Sequence, residues 1–199
     1  MRHTTVSFAG SAASAAQFPE GGLPEVAFLG RSNVGKSSLL NALAGVRDLA
    51  RVSSTPGRTR LVNFFRVGDA FYLADLPGYG YARVPEAERR GWERLASAYL
   101  VGRESLALCV FLVDVRHEPS EGDATLRAFL DDHGLPYVVA ATKADKLGRG
   151  ELVRRTRALA EGIGRHARAV IACSAVTGAG VGELWREVRD AARRREGAA

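Results

Sequence analysis

The chain has 199 residues, with 28 Lys and Arg against 22 Asp and Glu, a formal net charge of +6, 46% hydrophobic and 25% charged residues. Those proportions belong to an ordinary globular protein rather than a disordered or fibrous one. No apolar run approaches the ~18 residues of a membrane-spanning helix, and no continuous apolar segment follows Arg2 as a secretory leader requires, so the expectation is a cytoplasmic protein without a membrane partner.

Residues 1–24 are small and turn-rich; Thr5–Phe8 reads as a short strand or, equally, as disordered chain. From Glu25 onward, apolar runs alternate with amphipathic stretches. Strands are predicted over Glu25–Leu29, Leu61–Val67, Ala70–Ala74, Leu106–Asp114, Tyr137–Thr142 and Ala169–Cys173. Helices are predicted over Gly35–Ala44, Glu86–Val101, Ser120–His133, Gly150–Gly164 and Gly180–Arg195. The alternation predicts an α/β fold, a six-stranded, mostly parallel sheet with about five helices on both faces. Val67-Gly68-Asp69-Ala70 reads as a hairpin turn, which makes one edge strand antiparallel. Residues 25–195 are expected to form one domain, with 196–199 a disordered tail. Cys109 and Cys173 fall in or beside apolar strands and have no CxxC spacing, so they read as reduced core residues.

The chemistry is concentrated in loops that follow predicted strands. Gly30-Arg31-Ser32-Asn33-Val34-Gly35-Lys36-Ser37 fits GxxxxGK[ST] between the run Val26-Ala27-Phe28-Leu29 and the helix opening Ser38-Leu39-Leu40. Strand, glycine-rich turn and helix are the context that lets loop N–H groups and a helix N-terminus cradle phosphates. Lys36 is expected to reach the β- and γ-phosphates, and the Ser37 hydroxyl to coordinate Mg²⁺. Asp75-Leu76-Pro77-Gly78 ends a strand; Asp75 can hold Mg²⁺ through water and Gly78 can offer a backbone N–H to the γ-phosphate, although Asp, Pro and Gly are also ordinary turn residues.

Thr142-Lys143-Ala144-Asp145 decides which base is bound. A carboxylate at Asp145 accepts from the N1–H and N2 amino group of guanine, which adenine lacks, while the Lys143 stem covers the ring. Leaving such a group unpaired against the wrong base discriminates by ~10⁴–10⁵. Cys173-Ser174-Ala175 completes the base site, with the Ala175 N–H directed at guanine O6 and Ser174 bracing the loop. A switch segment needs a hydroxyl on the metal; Ser53, Ser54 and Thr55 compete with Thr59, whose place just before a strand favours it.

GRSNVGKSSLLNAL, PGRTRLVNFF, DLPGYGYA, VDVRHEPSEGD and TKAD, in this order, resemble the EngB family of ribosome-biogenesis GTPases, related to TrmE, Era, EngA and septins, over about Phe18 to Arg189. The resemblance implies GTP binding by Gly30, Arg31, Ser32, Asn33, Val34, Gly35, Lys36, Ser37 and Ser38; Gly57, Arg58, Thr59, Arg60 and Leu61; Asp75, Leu76, Pro77 and Gly78; Thr142, Lys143, Ala144 and Asp145; and Cys173, Ser174 and Ala175. It makes Thr59 the second direct Mg²⁺ ligand beside Ser37, and it makes Lys36, Thr59 and Gly78 the groups that act on the reaction. It also implies work on the large ribosomal subunit precursor and its rRNA, a role in septation during cell division, and a monomer. Thr55 stands where relatives commonly have lysine, and Cys173-Ser174-Ala175 where Phe-Ser-Ser is usual.

Tyr79 occupies the position after the switch glycine where Ras-type enzymes carry a water-orienting glutamine. Intrinsic hydrolysis is therefore expected to be slow and to need acceleration, by the ribosomal particle or by K⁺ held at Asn33; the competing reading of Asn33 is a loop spacer. Asp114-Val115-Arg116-His117 is not expected to catalyse; His117 and Glu118-Pro119 read instead as shaping the turn into the helix capped by Ser120. Trp92 and Trp185 read as core residues, and Arg83, Arg89, Arg90 and Arg94 as partner-facing. A rival to the ribosomal reading is a regulator of the division machinery that makes no rRNA contact.

Overall fold

The computed structural model describes residues 5–50, 61–79 and 86–197, apart from the side chains at 86–90, 92 and 93. Seven strands lie within the described residues: β1 (Val6–Ala12), β2 (Glu25–Gly30), β3 (Val62–Val67), β4 (Phe71–Asp75), β5 (Leu106–Asp114), β6 (Tyr137–Thr142) and β7 (Ala167–Ala172). The helices are α1 (Lys36–Ala44), α2 (Glu86–Gly102), α3 (Glu121–Asp132), α4 (Arg149–Glu161) and α5 (Val181–Glu196). All seven strands form one sheet in the order β1-β3-β4-β2-β5-β6-β7. The fold class expected from the sequence therefore holds.

The strand count and the edge differ from that expectation. Val6–Ala12 pairs antiparallel with β3, from Val6 opposite Val67 to Ala12 opposite Val62. It makes the sheet seven-stranded and takes the edge that was expected for Leu61–Val67. Because β3 is also antiparallel to β4, β3 alone runs against the rest. Phe8 holds this added strand by packing edge-on against Phe65, their ring centroids 5.9 Å apart. The hairpin turn lies where expected, closed by the Ala70 N–H to the Val67 carbonyl at 3.1 Å.

Alternation along the buried strands feeds two cores. Val26 and Phe28 face α1 and α5, packing with Leu39, Leu40, Leu43, Leu184 and Val188. Ala27 and Leu29 face the opposite layer with Leu95, Tyr99 and Leu130 of α2 and α3. Successive side chains point to opposite faces, so a strand covered on both sides shows an unbroken apolar run rather than a period of two. Trp185 packs on the first core, its ring 6.0 Å from Phe71. Trp92 lies on α2, but its side chain is outside the described residues. Cys109 and Cys173 are buried thiols, and desolvation pushes each up to about 12.

Glu25, only 1% exposed, anchors the first residue of β2. Its carboxylate accepts from the Tyr99 hydroxyl at 2.6 Å, from Arg103 Nε at 2.9 Å and from the Ser105 hydroxyl at 2.9 Å. A buried charge with this many donors is compensated; removing it leaves the Arg103 guanidinium and the Tyr99 hydroxyl without their acceptor. Glu25→Ala is expected to lower the unfolding free energy by about 3–5 kcal/mol, measured by urea denaturation; a loss below about 1 kcal/mol would show that the network carries little of the fold.

Candidate functional site

The order of the strands reverses at β2, which pairs in parallel with β4 on one side and β5 on the other. Ligands of open α/β sheets bind at the carboxyl ends of strands at such a point. The loop from Gly30 to Ser37 leaves β2 there and runs into α1, which starts at Lys36 after Gly35 in the left-handed region, φ 104°. Gly30 admits nothing larger: a Cβ there would lie 2.9 Å from Val34 Cγ1 and 3.0 Å from the Leu112 carbonyl oxygen.

Asp75 ends β4 beside Phe28 of β2, is buried, and forms an ion pair with Lys36. The Ser37 hydroxyl in the first turn of α1 and this carboxylate are hard oxygen donors, the type that suits Mg²⁺ completed by waters and phosphates. Gly57, Arg58, Thr59 and Arg60 lie outside the described residues, as do Ser53, Ser54 and Thr55; Leu61 is exposed just before β3.

Thr142 and Lys143 tie the loop after β6 to the phosphate loop. Thr142 Oγ1 donates to the Val34 carbonyl at 2.7 Å, and Lys143 Nζ donates to the Asn33 carbonyl at 2.8 Å. Lys143 adopts φ 61° and its Cε passes over Gly35. Its ammonium also pairs with Asp114 Oδ2 at 2.8 Å. Burial pushes the Asp114 carboxyl up, but hydrogen bonds from Arg116 and Lys143 outweigh it and hold it well below the usual range. Asp114 was expected not to catalyse; the structure makes it the anchor of Lys143, a pairing from the end of β5 that no local motif announces.

The Asp145 carboxylate is set by Ser174, whose hydroxyl donates to Asp145 Oδ1 at 2.7 Å. Ser174 Oγ also accepts the Val176 and Thr177 N–H groups at 3.2 and 3.1 Å. The Ser174 bond, with smaller help from Lys146, lowers the Asp145 pKa, so the group remains a charged acceptor. The Ala144 N–H to the Cys173 carbonyl, 3.1 Å, joins the two base loops, and the Ala175 N–H has no acceptor among the described residues. Asp145, Ser174 and Ala175 thus come together as expected from the sequence.

Beyond Gly78, Tyr79 turns away from this site. Its phenol donates to Asp123 Oδ1 at 2.6 Å, and burial followed by that bond pushes its pKa far above the ordinary range. Asp123 also closes the capping box of α3 with Ser120. The Ser-x-x-Asp spacing that gives the cap is visible in the sequence, but its link to Tyr79 is not. Arg94 is exposed on α2; Arg83 and the side chains of Arg89 and Arg90 are outside the described residues.

The fold and its two joined loops define a P-loop GTPase. A family model described as 50S ribosome-binding GTPase matches residues 25–143. The probable GTP-binding protein EngB of Syntrophus aciditrophicus is 48% identical over 96% of this chain and 97% of its own length. That of Solibacter usitatus is 50% identical over 86% of this chain and 87% of its own. The chain belongs to the EngB family of GTP-binding proteins. In fold it resembles a crystal structure of a probable GTP-binding protein engB, with TM-score 0.68, 23% identity, and 85% of this chain and 99% of that one covered. It also resembles Era in complex with MgGDPNP and nucleotides 1506–1542 of 16S ribosomal RNA, with TM-score 0.67, 23% identity, and 84% and 56% covered.

Ser174→Ala removes the donor that fixes the Asp145 carboxylate and the acceptor for two loop N–H groups. It is expected to weaken GDP binding by about tenfold, measured by titration calorimetry, and to lower the melting temperature of the nucleotide-free protein by about 2–4 °C.

Proposed function

We propose that this protein is a GTP-gated switch that hydrolyses GTP slowly and, in its GTP state, engages a precursor of the large ribosomal subunit and its rRNA. The observation that carries the guanine part is the Asp145 carboxylate, aimed by Ser174 and held at the phosphate loop through Thr142 and Lys143. An ionised acceptor there pairs with guanine N1–H and N2 amino donors, and the Ala175 N–H is open to guanine O6. Loop N–H groups from Gly30 to Ser38 and the Lys36 ammonium bind the phosphates. Asp75, which pairs with Lys36, would hold Mg²⁺ through water, and Ser37 and Thr59 would supply the direct oxygens. Mg²⁺, when bound, neutralises charge on the β- and γ-phosphates. The Tyr79 phenol is engaged by Asp123 and offers no amide to orient water, which supports a low intrinsic rate.

The ribosomal part rests on the family description, which names 50S binding. The +6 net charge suits a polyanion, and Arg94 is presented on the helix that follows the switch segment. We further propose a cytoplasmic monomer with a role in septation; no helix among the described residues is long and apolar enough to cross a membrane.

Two experiments test this reading. Asp145→Asn, which turns one accepting oxygen into a donor, is expected to shift preference from guanosine to xanthosine triphosphate by at least about a hundredfold; an unchanged preference removes the base assignment. Phosphate release measured in K⁺ and in Na⁺, each with and without large subunits, is expected to rise with subunits and to be faster in K⁺. Equal rates with and without subunits would remove the ribosomal activator, and equal rates in the two salts would remove the potassium role of Asn33.

A further inference from the structure

Tyr79 ties the phosphate loop to α3. Its backbone docks on the phosphate loop: the Ser32 N–H donates to the Tyr79 carbonyl at 2.9 Å, and the Tyr79 N–H donates to the Gly30 carbonyl at 3.4 Å. Its ring lies on α3 at Gly122, where a Cβ would come within 3.1 Å of ring carbons Cδ2 and Cε2. Its hydroxyl is received by Asp123 Oδ1 at 2.6 Å. Asp123 does not depend on the tyrosine for its own position, because its Oδ2 takes the Ser120 N–H at 2.7 Å and the Ser120 hydroxyl at 2.6 Å. The acceptor is therefore fixed by the helix cap before the phenol arrives.

This docking decides how close Gly78 comes to the loop. A Cβ on Gly78 would lie 3.1 Å from the Ser32 nitrogen and 3.3 Å from the Gly30 carbonyl oxygen. A methyl group there would have to push backbone atoms apart by a few tenths of an ångström, and the Ser32 N–H is spent on Tyr79 rather than on an anion. A third phosphate that takes the N–H groups of Ser32 and Gly78 must separate these two segments, and in doing so it strips Tyr79 from the loop.

We infer that Gly122 and Asp123 are positioning residues that act through Tyr79 to hold Gly78 closed on the phosphate loop, so that the protein favours a nucleoside diphosphate over a triphosphate. The assignment rests on the GTP-binding reading above and deepens it: GTP binding has to overcome a contact with α3, and the N-terminus of α3 becomes the place where the presence of the third phosphate is registered. A ligand with no need to open the gap gains nothing from its rupture, so the discrimination equals the free energy of the contact.

The test measures the ratio of affinities for GDP and a non-hydrolysable GTP analogue by calorimetry on the whole chain. Tyr79→Phe keeps the ring and removes only the hydroxyl bond to a charged acceptor. It is expected to tighten the GTP analogue by about tenfold and to leave GDP affinity at the parent value. Gly122→Ala brings a methyl to 3.1 Å from two ring carbons, so that the ring must give way slightly, and is expected to shift the ratio in the same direction. Alanine is the better helix former, so the melting temperature should not fall, and a purely structural role for the position would leave the ratio untouched. A ratio in Tyr79→Phe that stays at the parent value, or moves toward GDP, overturns the assignment. Failure of the parent chain to bind either nucleotide would instead remove the GTP reading itself.

Discussion

The parallel register of β2, β5 and β6 is the constraint on which the site depends. Gly30 pairs with Leu112, and Asp114 pairs with Thr142, so the phosphate loop and the base loop emerge side by side from strands locked in one sheet. Their contact is then direct: the Thr142 hydroxyl and the Lys143 ammonium both donate to carbonyls of the phosphate loop. A one-residue slip would turn every side chain of β6 to the opposite face and carry Thr142 away from Val34. The near-complete burial of β2 and β6 makes such a slip costly. The two loops are thus parts of a single hydrogen-bonded body.

The two ends of β2 carry opposite chemistry. At its start the buried Glu25 gathers donors from α2 and from the chain leading into β5, fixing the strand's depth in the sheet. At its end the backbone curls around space intended for anions. The rigid end lets the strained end exist: Asn33 and Lys143 both sit at positive φ, which costs free energy that the surrounding hydrogen bonds offset. Asp114 belongs to the same logic, because it holds the ammonium of Lys143 from the side opposite the Asn33 carbonyl.

Much of this was legible in the sequence because it was local. The limits of β5 and β6 coincide with the apolar runs Leu106–Asp114 and Tyr137–Thr142, and the phosphate loop and Thr-Lys-Ala-Asp motifs carry their chemistry within four to eight consecutive residues. Val6–Ala12 was only half seen. Its small residues and Gly10 give no alternation to read, and its partner is more than fifty positions away. The Tyr79–Asp123 bond and the Lys143–Asp114 pair were invisible for the same reason: each joins loops that only the tertiary fold brings together. Residues 51–60 lie outside the described residues, so Thr59 rests on its place before a strand and on resemblance.

The short first strand has a practical consequence. It occupies the hydrogen-bonding edge of β3, a strand carrying Phe64 and Phe65, yet it lies outside the residues matched by the family model, which begin at 25. A chain begun at residue 25 and otherwise whole would bare the β3 edge as a rim of unpaired peptide groups, the kind of edge along which separate molecules join into larger sheets. Trimming that looks harmless from motif positions would therefore favour self-association.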